Sequence, residues 1–488
     1  MNATEPLRRS ALQTPDAVAY EFADGTKVTY AAFDRTVDAV ARRARAIGLR
    51  PGQSAVIAST NHHRFIVAAL ALGRIGVAFA PVMLPAHLTD VLLQDRGEPG
   101  NGCARIVAFD EVWPADSLSS GSAETESFHD DGAAILMHCP SSGTTGGGPK
   151  FVPVSHALAL RRVDRDAFGS SVAAGGPGTA GRQVCFITES SSYGFSSLLF
   201  VLGNGGTVLE PINDARDVPE WLVRLRVEHM VASPVALNRM AEALPPLRTA
   251  NFLATIEAGG GTLAPNVHKL VSERMCANVV INYGSTECGR VAGAPASAMV
   301  GKAGAVGYAY PGVEIEVVDD DGNPLPAGRE GVVRIRSERN ASGYLDNAQA
   351  AAVTFRAGWV YPGDRGVVEA DGLLRIVGRV DDVINIGGAK VNPETIEDAM
   401  MALGGVREVA AFGAAAEGGA TVICAAIVPT APIHADTYHQ RCRERLGALA
   451  PALIMHLRAL PRNANGKVLR HNLTKMAIEA NRRQNPSG

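Results

Sequence analysis

The chain has 488 residues, a formal net charge of −3 and 46% hydrophobic residues. At roughly 100–200 residues per domain, this length favours two to four domains, each able to bury a sizeable core. The near-neutral charge, without long basic runs, argues against a nucleic-acid partner. Seven cysteines stand singly, without a CxxC pair. This pattern favours a reducing, cytoplasmic location over a disulfide framework or a zinc site.

No segment of the sequence predicts a contact with a membrane. The first residues, MNATEPLRRSALQTPD, lack the continuous apolar stretch of a secretory signal. The most apolar region, Phe65–Val82, is interrupted by Arg74, and a membrane span needs about 20 apolar residues. We therefore expect this region to form a buried helix and a buried strand.

Predicted helices and strands alternate through the first half of the chain. Apolar residues recur at helical spacing over Thr29–Ile47 and again over Arg64–Ile75. Short apolar segments at Ser54–Ser59, Val77–Val82 and Ala133–Cys139 are typical of buried strands. This alternation predicts a mostly parallel sheet covered by helices.

The pattern changes near residue 304, where VEIEVVDDDGNPLPAGREGVVRIRS combines alternating strands with DG and AG turns. Such a pattern predicts an antiparallel sheet. A second change follows Gly378–Gly388, where a compact α+β segment begins. We place the domain boundary there, with one domain over residues 1–380 and a second over 381–488. The last eight residues, NRRQNPSG, are expected to be disordered.

The stretch SSGTTGGGPK, Ser141–Lys150, follows the last of those buried strands. Glycines let a backbone approach an anion closely, and the hydroxyls and the lysine add donors and positive charge. A flexible linker is the alternative, but a linker would not join a buried strand directly to another apolar stretch. The common motif GxxxxGK[ST] is absent. The candidate phosphate-binding residues are Ser141, Ser142, Gly143, Thr144, Thr145, Gly146 and Lys150.

Four further motifs follow in order: NYGSTECG, GWVYPGDRG, GRVDDVINIGGAKVNP and NANGKVLR. Together with SSGTTGGGPK, they resemble the adenylate-forming superfamily. That family comprises acyl- and aryl-CoA synthetases, adenylation domains of peptide synthetases and firefly-type luciferases. The resemblance covers nearly the whole chain, and it is closest in character to the acyl- and aryl-CoA ligases.

The resemblance implies a large N-terminal domain of α/β layers with an antiparallel β subdomain, and a small mobile α+β C-terminal domain. It also implies a reaction in two halves that uses ATP and Mg²⁺. A carboxylate first attacks the α-phosphate of ATP to give an acyl-adenylate and pyrophosphate. A thiol, of CoA or of a carrier-protein phosphopantetheine, then displaces AMP.

Three catalytic residues follow from the resemblance. Thr286 matches the threonine that contacts the α-phosphate, and Glu287 matches the glutamate that holds Mg²⁺. A carboxylate suits this oxygen-seeking ion. Lys467 matches the lysine that bridges the carboxylate and the α-phosphate during adenylation. Without the resemblance, Glu287 could be a surface salt-bridge partner, and Lys467 could be a solvated lysine in a turn.

The resemblance also assigns the nucleotide and acyl sites. Tyr283 matches the aromatic residue that stacks on adenine, Asp364 the acceptor of both ribose hydroxyls, and Arg379 an arginine that reaches ribose and phosphate. Further nucleotide-site residues are Asn282, Gly284, Ser285, Gly260 and Gly261. The acyl-pocket residues are Tyr193, Gly259 and Gly289. Ordinary turns or core packing would also account for these glycines and aromatic rings.

A domain rotation between the two half-reactions is implied as well. Asp381 matches the hinge, and Gly388 matches the glycine that lines the pantetheine tunnel. Lys467 must leave before Gly388 and its neighbours can enter, and a few residues at a domain junction can absorb such a change.

The sequence departs from the family pattern at three places. The loop reads TGGGPKF, with an extra glycine and with Phe151 in place of a glycine, so the contact made by Lys150 is open. Ser191, in ESSSYGF, stands where the family often has a histidine; this segment is either a polar loop or a modified acyl region. Amino-acid-activating relatives carry an aspartate nearby, and Glu189 is a poor substitute, which favours a plain carboxylic acid.

The leading hypothesis is therefore an AMP-forming ligase that joins a small aryl or aliphatic acid to CoA. A free-standing enzyme that loads a carrier protein is the first alternative, and an amide ligase is the second. A non-catalytic nucleotide-binding protein is a further alternative of a different class. We expect a monomer or homodimer in the cytoplasm, without a nucleic-acid or membrane partner.

Overall fold

The structure is a computed structural model. It describes residues 1–82, 84–95, 105–114, 126–141, 150–164, 181–212, 218–244, 253–380, 382, 384–386, 389–415, 421–462 and 468–484.

The α-helices within these ranges are α1 Glu5–Gln13, α2 Tyr30–Ala46, α3 His62–Arg74, α4 Phe109–Val112, α5 His156–Arg162, α6 Ser192–Gly203, α7 Val218–Arg224, α8 Pro234–Ala243, α9 Pro265–Arg274, α10 Ala348–Thr354, α11 Pro393–Ala402, α12 Ala435–Leu446 and α13 Arg470–Gln484. The first strands are β1 Val18–Glu21, β2 Lys27–Thr29, β3 Ser54–Ala58, β4 Ala78–Ala80, β5 Val91–Gln94, β6 Ile106–Ala108, β7 Ile135–Ser141, β8 Lys150–Ser155, β9 Arg182–Cys185, β10 Thr207–Leu209, β11 His229–Ala232, β12 Thr255–Ala258, β13 Val279–Ser285 and β14 Gly289–Pro295. The later strands are β15 Ala305–Ala309, β16 Val313–Val318, β17 Gly331–Ser337, β18 Phe355–Arg356, β19 Trp359–Val360, β20 Asp364–Val368, β21 Leu374–Arg379, β22 Ile384–Ile386, β23 Ala389–Val391, β24 Val406–Ala415, β25 Thr421–Pro429 and β26 Leu453–His456.

The chain divides into two compact units. The first comprises Met1–Ser142, Pro149–Glu314 and Ile335–Val360, and the second includes Ile315–Arg334 and Tyr361–Gly488. The compactness of the two units does not show where one domain rotates relative to the other. The boundary predicted at Asp381 therefore stays a prediction.

Two sheets form the frame of the first unit. In one, the strands lie in the order β6-β5-β3-β4-β7-β8, and every pair is parallel except β7–β8. In the other, β1, β10, β9, β11, β12 and β13 pair in parallel, and β2, β14 and β15 add antiparallel pairs. The mostly parallel, helix-covered sheet predicted from the alternating pattern is confirmed.

Helices α2 and α3 follow the apolar spacing of their sequences. Thr29 and Asn61 cap their N-termini with side-chain oxygens that accept from backbone N–H groups. The apolar face of α2 includes Phe33 and Val37, both fully buried. Arg74, at the end of α3, is fully buried and forms ion pairs with two aspartates of α2, at 2.7 and 2.6 Å. The two helices are thus joined by both apolar packing and paired charge.

The second unit contains several antiparallel pairs, as predicted. Strands β17, β20 and β21 pair antiparallel, and β22 pairs antiparallel with β23. Near the C-terminus, β24-β25-β26 form a sheet with one antiparallel and one parallel pair. Ile396 and Met400 of α11 and Tyr438 of α12 belong to one buried cluster beside this sheet. Leu473 and Ala477 of α13 belong to another. The predicted α+β character of this segment is confirmed.

The prediction of a disordered C-terminus is wrong for four of its eight residues, and the other four, 485–488, lie outside the described residues. Helix α13 continues to Gln484, so Asn481–Gln484 are helical rather than disordered. Helix α13 is anchored by packing, and residues 481–484 contain no helix breaker. Their polar composition was therefore not sufficient to end the helix. Across the ranges given above, no helix combines the length and the apolar character that a membrane crossing requires.

Candidate active site

The two ends of the predicted phosphate loop lie opposite each other. Ser141 ends β7, Lys150 begins β8, and the two are partners in the antiparallel ladder. The Lys150 ammonium lies 5.3 Å from the centre of the Tyr344 ring, within range of a cation–π interaction. The structure thus fixes both ends of the loop, while Ser142, Gly143, Thr144, Thr145 and Gly146 lie outside the described residues.

Glu287 is the centre of a buried hydroxyl-rich cluster. Its Oε1 accepts hydrogen bonds from the Ser141 hydroxyl at 2.5 Å and from the Tyr344 hydroxyl at 2.8 Å. The residue itself is only 6% exposed. Within the described part of the chain, the Glu287 carboxylate has hydroxyl donors and forms no ion pair. The predicted metal ligand and the first residue of the predicted phosphate loop are therefore in direct contact.

The charge state of Glu287 follows from these donors. Burial alone would raise its pKa, but hydrogen bonds from Ser141, Ser285 and Tyr344 lower the pKa below the ordinary glutamate value. The carboxylate therefore stays ionised at neutral pH. It is a negative group in a partly closed site, which is the chemistry that a hard divalent cation requires.

Arg162 holds the backbone around Glu287. Its guanidinium donates to the carbonyl oxygens of Glu287 at 3.0 Å and of Arg339 at 3.1 Å, and to the Ser192 hydroxyl at 3.0 Å. The residue is almost fully buried at the end of α5. These bonds connect three distant segments of the first unit, so Arg162 fixes the position of the Thr286–Glu287 turn without contacting the carboxylate.

Two glycines permit the tight β13–β14 connection. A Cβ on Gly284 would lie 2.0 Å from the Gly289 carbonyl oxygen, so a side chain there would displace backbone. Gly289 has a φ of +69° and lies against the Arg162 side chain, which a Cβ would approach to 3.2 Å. Ser285 and Gly289 are ladder partners, so Thr286 and Glu287 lie in the turn between these strands.

Glu257 is the centre of a second buried cluster, at the predicted acyl pocket. Its Oε1 accepts from the Tyr193 hydroxyl at 2.8 Å and from the Asn282 amide at 2.6 Å, and it pairs with Arg290. The Arg290 guanidinium also lies over the Tyr193 ring, 5.5 Å from its centre. Burial lowers the pKa of Arg290 and raises that of Tyr193. Because the Asn282 side chain also accepts from Tyr310, its polar atoms belong to this cluster.

Two of the three predicted acyl-pocket residues, Tyr193 and Gly259, lie against each other beside this cluster, whereas Gly289 lies against Arg162. A Cβ on Gly259 would lie 2.4 Å from the Tyr193 ring, so only glycine leaves room for that tyrosine. Gly260 has a φ of +78°, which explains a glycine at this position. A Cβ on Gly261 would make only an ordinary contact with Pro234, so packing does not explain the third glycine.

Ser191 and Glu189, the two residues at which the sequence departs from the family pattern near the acyl region, lie just before helix α6. The Ser191 hydroxyl accepts from the Gly194 N–H at 3.0 Å and donates to the Thr188 carbonyl at 2.8 Å, which makes it the N-cap of α6. Burial raises the pKa of Glu189. The structure therefore supports a structural role for Ser191, one of the two interpretations left open by the sequence.

In the second unit, Asp364 and Arg379 are paired. They are partners in the β20–β21 ladder, and the Arg379 guanidinium lies 2.7 Å from Asp364 Oδ1 and 2.7 Å from the Pro362 carbonyl. Gly363, with a φ of +82°, lets Arg379 pass, since a Cβ there would lie 2.9 Å from the guanidinium. The structure thus brings together the two residues assigned to the ribose.

Three further predicted residues lie outside the described chain: Asp381, Gly388 and Lys467. Their roles stay predictions. Tyr283 and Thr286 are described, half-buried at the end of β13 and in the turn after it.

Sequence reasoning missed four residues that build these clusters: Tyr344, Arg162, Glu257 and Arg290. Tyr344 and Arg162 act across large sequence separations and carry no local signal. Glu257 and Arg290 did carry one, because each is a charged residue within an otherwise apolar strand, in TIEA and GRVAGAP. Opposite charges on two otherwise apolar segments can indicate a buried ion pair.

In the first unit a buried carboxylate contacts the first residue of the predicted phosphate loop, and in the second unit the aspartate and arginine assigned to the ribose are paired. The chain belongs to the AMP-binding enzyme family, whose sequence profile matches residues 7–345, and the profile of the family's C-terminal domain matches residues 395–467. This assignment confirms the enzyme family that the five motifs predicted.

Similar proteins span nearly the whole chain. A 2-succinylbenzoate–CoA ligase of Bacillus licheniformis is 26% identical, over 96% of this chain and 98% of its own. A feruloyl-CoA synthase of an Amycolatopsis species is 26% identical, over 95% and 96%. Among solved structures, an O-succinylbenzoate coenzyme A synthetase of Bacillus subtilis in complex with AMP superposes with a TM-score of 0.82 at 24% identity, over 96% and 97%. The predicted fold class is confirmed.

Proposed function

We propose that this chain activates a small carboxylic acid, aryl or of short to medium length, with ATP and transfers it to CoA. In the first half-reaction, a carboxylate oxygen of the acid bonds to the α-phosphorus of ATP and the bond to pyrophosphate breaks. In the second, the thiol sulfur bonds to the acyl carbon and AMP leaves. The relatives named above support CoA as the acceptor, since both are named for CoA thioesters.

The single observation that carries this proposal is the Ser141–Glu287 contact at 2.5 Å. It joins the start of the phosphate-type loop to an ionised, buried carboxylate. Joining an anion to a polyanion requires positive charge and oriented dipoles around the phosphates. At such a site Glu287 could hold a cation, which would supply positive charge to the reaction.

Mg²⁺ fits the residues present. This ion is usually held by one or two carboxylates together with substrate phosphates and water, rather than by a full protein cage. Glu287 supplies one ionised carboxylate, and no cluster of three or more acidic, histidine or cysteine ligands occurs in the described ranges. Glu287 would therefore hold the ion, which would neutralise phosphate charge when bound.

The other assigned residues divide the remaining work. In this proposal Thr286 contacts the α-phosphate, Asp364 and Arg379 hold the ribose, and Tyr283 stacks on adenine. Lys467 bridges the acid and the α-phosphate. Rotation about Asp381 then brings Gly388 to the thiol in the second half-reaction.

The location proposed for the enzyme is the cytoplasm. Cys139, Cys185, Cys276, Cys288, Cys424 and Cys442 are all buried free thiols, and buried thiols keep this form most readily in a reducing compartment.

Acid-dependent exchange of pyrophosphate into ATP tests the first half-reaction. The purified chain is incubated with ATP, Mg²⁺ and a panel of aryl and aliphatic acids, and Lys467→Ala is the test variant. Exchange is expected with at least one acid and should collapse in Lys467→Ala, with Lys475→Ala of helix α13 as the matched control. Undiminished exchange in Lys467→Ala would remove this lysine from the mechanism.

A product assay tests the second half-reaction. Each active acid is supplied with CoA, with a holo carrier protein or with an amine, and the products are separated by mass. Acyl-CoA is the expected product. If the carrier protein or the amine is acylated while acyl-CoA never forms, the choice of CoA is wrong.

A further inference from the structure

The two oxygens of the Glu257 carboxylate are used unequally. All three of its hydrogen-bond donors, from Tyr193, Asn282 and Arg290, reach the same atom, Oε1. Among the described residues, no donor reaches Oε2. The side chain is 12% exposed, and Oε2 is not one of the fully buried polar atoms, so this oxygen is open to a small ligand or to water. A ligand that donates a hydrogen bond there replaces the water without leaving the acceptor unpaired.

The position of Glu257 identifies the ligand that can reach it. Tyr193, one of its donors, lies against Gly259, and Arg290, its ion-pair partner, follows Gly289 directly. Tyr193, Gly259 and Gly289 are the residues assigned to the acyl pocket. Glu257 thus lies beside residues that the proposed function assigns to the acyl pocket.

The charges of the cluster restrict which chemical group of a ligand can bind beside Glu257. Glu257 is already neutralised by Arg290, and burial disfavours any further net charge there. A substrate ammonium would lie near the Arg290 guanidinium and would experience like-charge repulsion. A second substrate carboxylate would face the oxygen of Glu257. A neutral hydroxyl avoids both costs and supplies the missing donor.

We propose that Glu257 is a specificity-determining residue, and that its Oε2 accepts a hydrogen bond from a hydroxyl group on the acid substrate. The inference rests on the proposed function, because it names the substrate class of the same pocket. The substrate is then a hydroxylated carboxylic acid, with the hydroxyl on either an aromatic ring or an aliphatic chain.

Matched pairs of acids test this inference in the wild-type chain. Pyrophosphate exchange is measured for 4-hydroxybenzoate against benzoate, for 4-hydroxycinnamate against cinnamate, and for 3-hydroxybutyrate against butyrate. In at least one pair, the hydroxylated acid should have a kcat/KM higher by about 10-fold to 100-fold, the range for a hydrogen bond to a charged group. The aryl and aliphatic pairs distinguish a phenol from an alcohol.

Two variants connect that preference to Glu257. Glu257→Gln keeps the shape of the side chain, and it should reduce the preference to less than about 3-fold because a neutral amide is the weaker acceptor. Tyr310→Phe is the control, because it removes a hydroxyl from the same cluster that reaches Asn282 and not Glu257. It should keep the preference, and thermal melts confirm that each variant is folded.

The outcomes distinguish a failure of the proposed function from a failure of the hydroxyl inference. Exchange with no acid of the panel would contradict the proposed function itself. Exchange at equal or higher efficiency with the unsubstituted acids would overturn only the hydroxyl inference. A preference that persists in folded Glu257→Gln would likewise overturn the role of Glu257. Should that variant fail to fold, the double variant Glu257→Gln/Arg290→Met takes its place, because it removes both charges of the pair, and a preference that persists in it would overturn the role of Glu257.

Discussion

Two glutamates of the first unit, the buried Glu287 and the mostly buried Glu257, are held in contrasting ways. Glu287 accepts from the neutral hydroxyls of Ser141 and Tyr344, whereas Glu257 is paired with the cation Arg290. The first carboxylate keeps its negative charge available to a ligand, and the second forms a neutral pair. A metal ion can therefore use Glu287, while Glu257 can offer only a hydrogen-bond acceptor.

Glu394 of the second unit extends the comparison. It shares the single cation Arg470 with Asp382 and Glu397, whose carboxylates lie closer to the guanidinium, at 2.9 and 2.8 Å against 3.7 Å. Burial, only partly opposed by Arg470, raises the pKa of Glu394 to about 7. The three glutamates show that the identity and sharing of the donors, beyond burial itself, set the charge that a carboxylate presents.

The largest effect is expected for Glu287→Gln. Because the amide cannot supply the negative charge that a cation needs, pyrophosphate exchange should fall by about 100-fold or more. Glu314→Gln, at an exposed ion pair with Arg336, is the matched control and should retain wild-type exchange. Comparable exchange rates for the two variants would mean that Glu287 is only a structural residue.

Arg290→Ala should lower the stability of the folded chain, because it removes the cation that is paired with Glu257. It leaves Glu257 charged and nearly buried without its cation, which costs about 3 kcal/mol or more. The melting temperature should therefore drop by several degrees. In the double variant Glu257→Gln/Arg290→Met, much of that loss should be recovered, since both charges are then absent. If Arg290→Ala melts like the wild type, the pair is not the neutral unit described above.

The resemblance carried by NYGSTECG singled out Glu287, whereas no motif singled out Glu257. Glu287 lies in NYGSTECG, where the short β13–β14 turn requires Gly284 and Gly289, so the local pattern carries the geometry. Its donor Tyr344 lies 57 residues further along the chain, and no local sequence pattern predicts this contact. The alternating elements of the first half likewise predicted the parallel sheet, because local periodicity decides it.

The residues that sequence reasoning could not place depend on long-range contacts. Arg162 connects Ser192, Glu287 and Arg339, a set that no spacing rule brings together. Ser191 was open to two interpretations because a cap and a substrate contact use the same hydroxyl. Only the hydrogen bonds with Gly194 and Thr188 favour the cap.

A pH effect on stability is expected from Glu394. Its pKa is raised in the folded state, so the folded chain holds one more proton than the unfolded chain between about pH 4.5 and pH 7. Stability should therefore decrease as pH rises through this window. Glu394→Gln mimics the protonated form, and it should be more stable than the wild type above pH 7. Melting curves from pH 5 to pH 8 measure the difference, and an identical pH dependence for both proteins would contradict the raised pKa.

The smallest effect is expected for Ser191→Ala. Loss of an N-cap costs about 1 kcal/mol, and Ser155→Ala, at the N-cap of α5, should cost a similar amount. Since the Ser191 hydroxyl is assigned to the helix, its removal should leave the ratio of kcat/KM between paired acids unchanged. A shift of that ratio in Ser191→Ala, without a shift in Ser155→Ala, would assign Ser191 to the acid pocket.

One experiment tests the division of work between the two glutamates most directly. Pyrophosphate exchange is measured for the wild type, Glu287→Gln and Glu257→Gln, each with a hydroxylated acid and its unsubstituted analogue. Glu287→Gln should lower exchange by the same factor with both acids, because it acts on the nucleotide. Glu257→Gln should lower it more with the hydroxylated acid. A uniform loss in Glu257→Gln, or a substrate-selective loss in Glu287→Gln, would contradict this account.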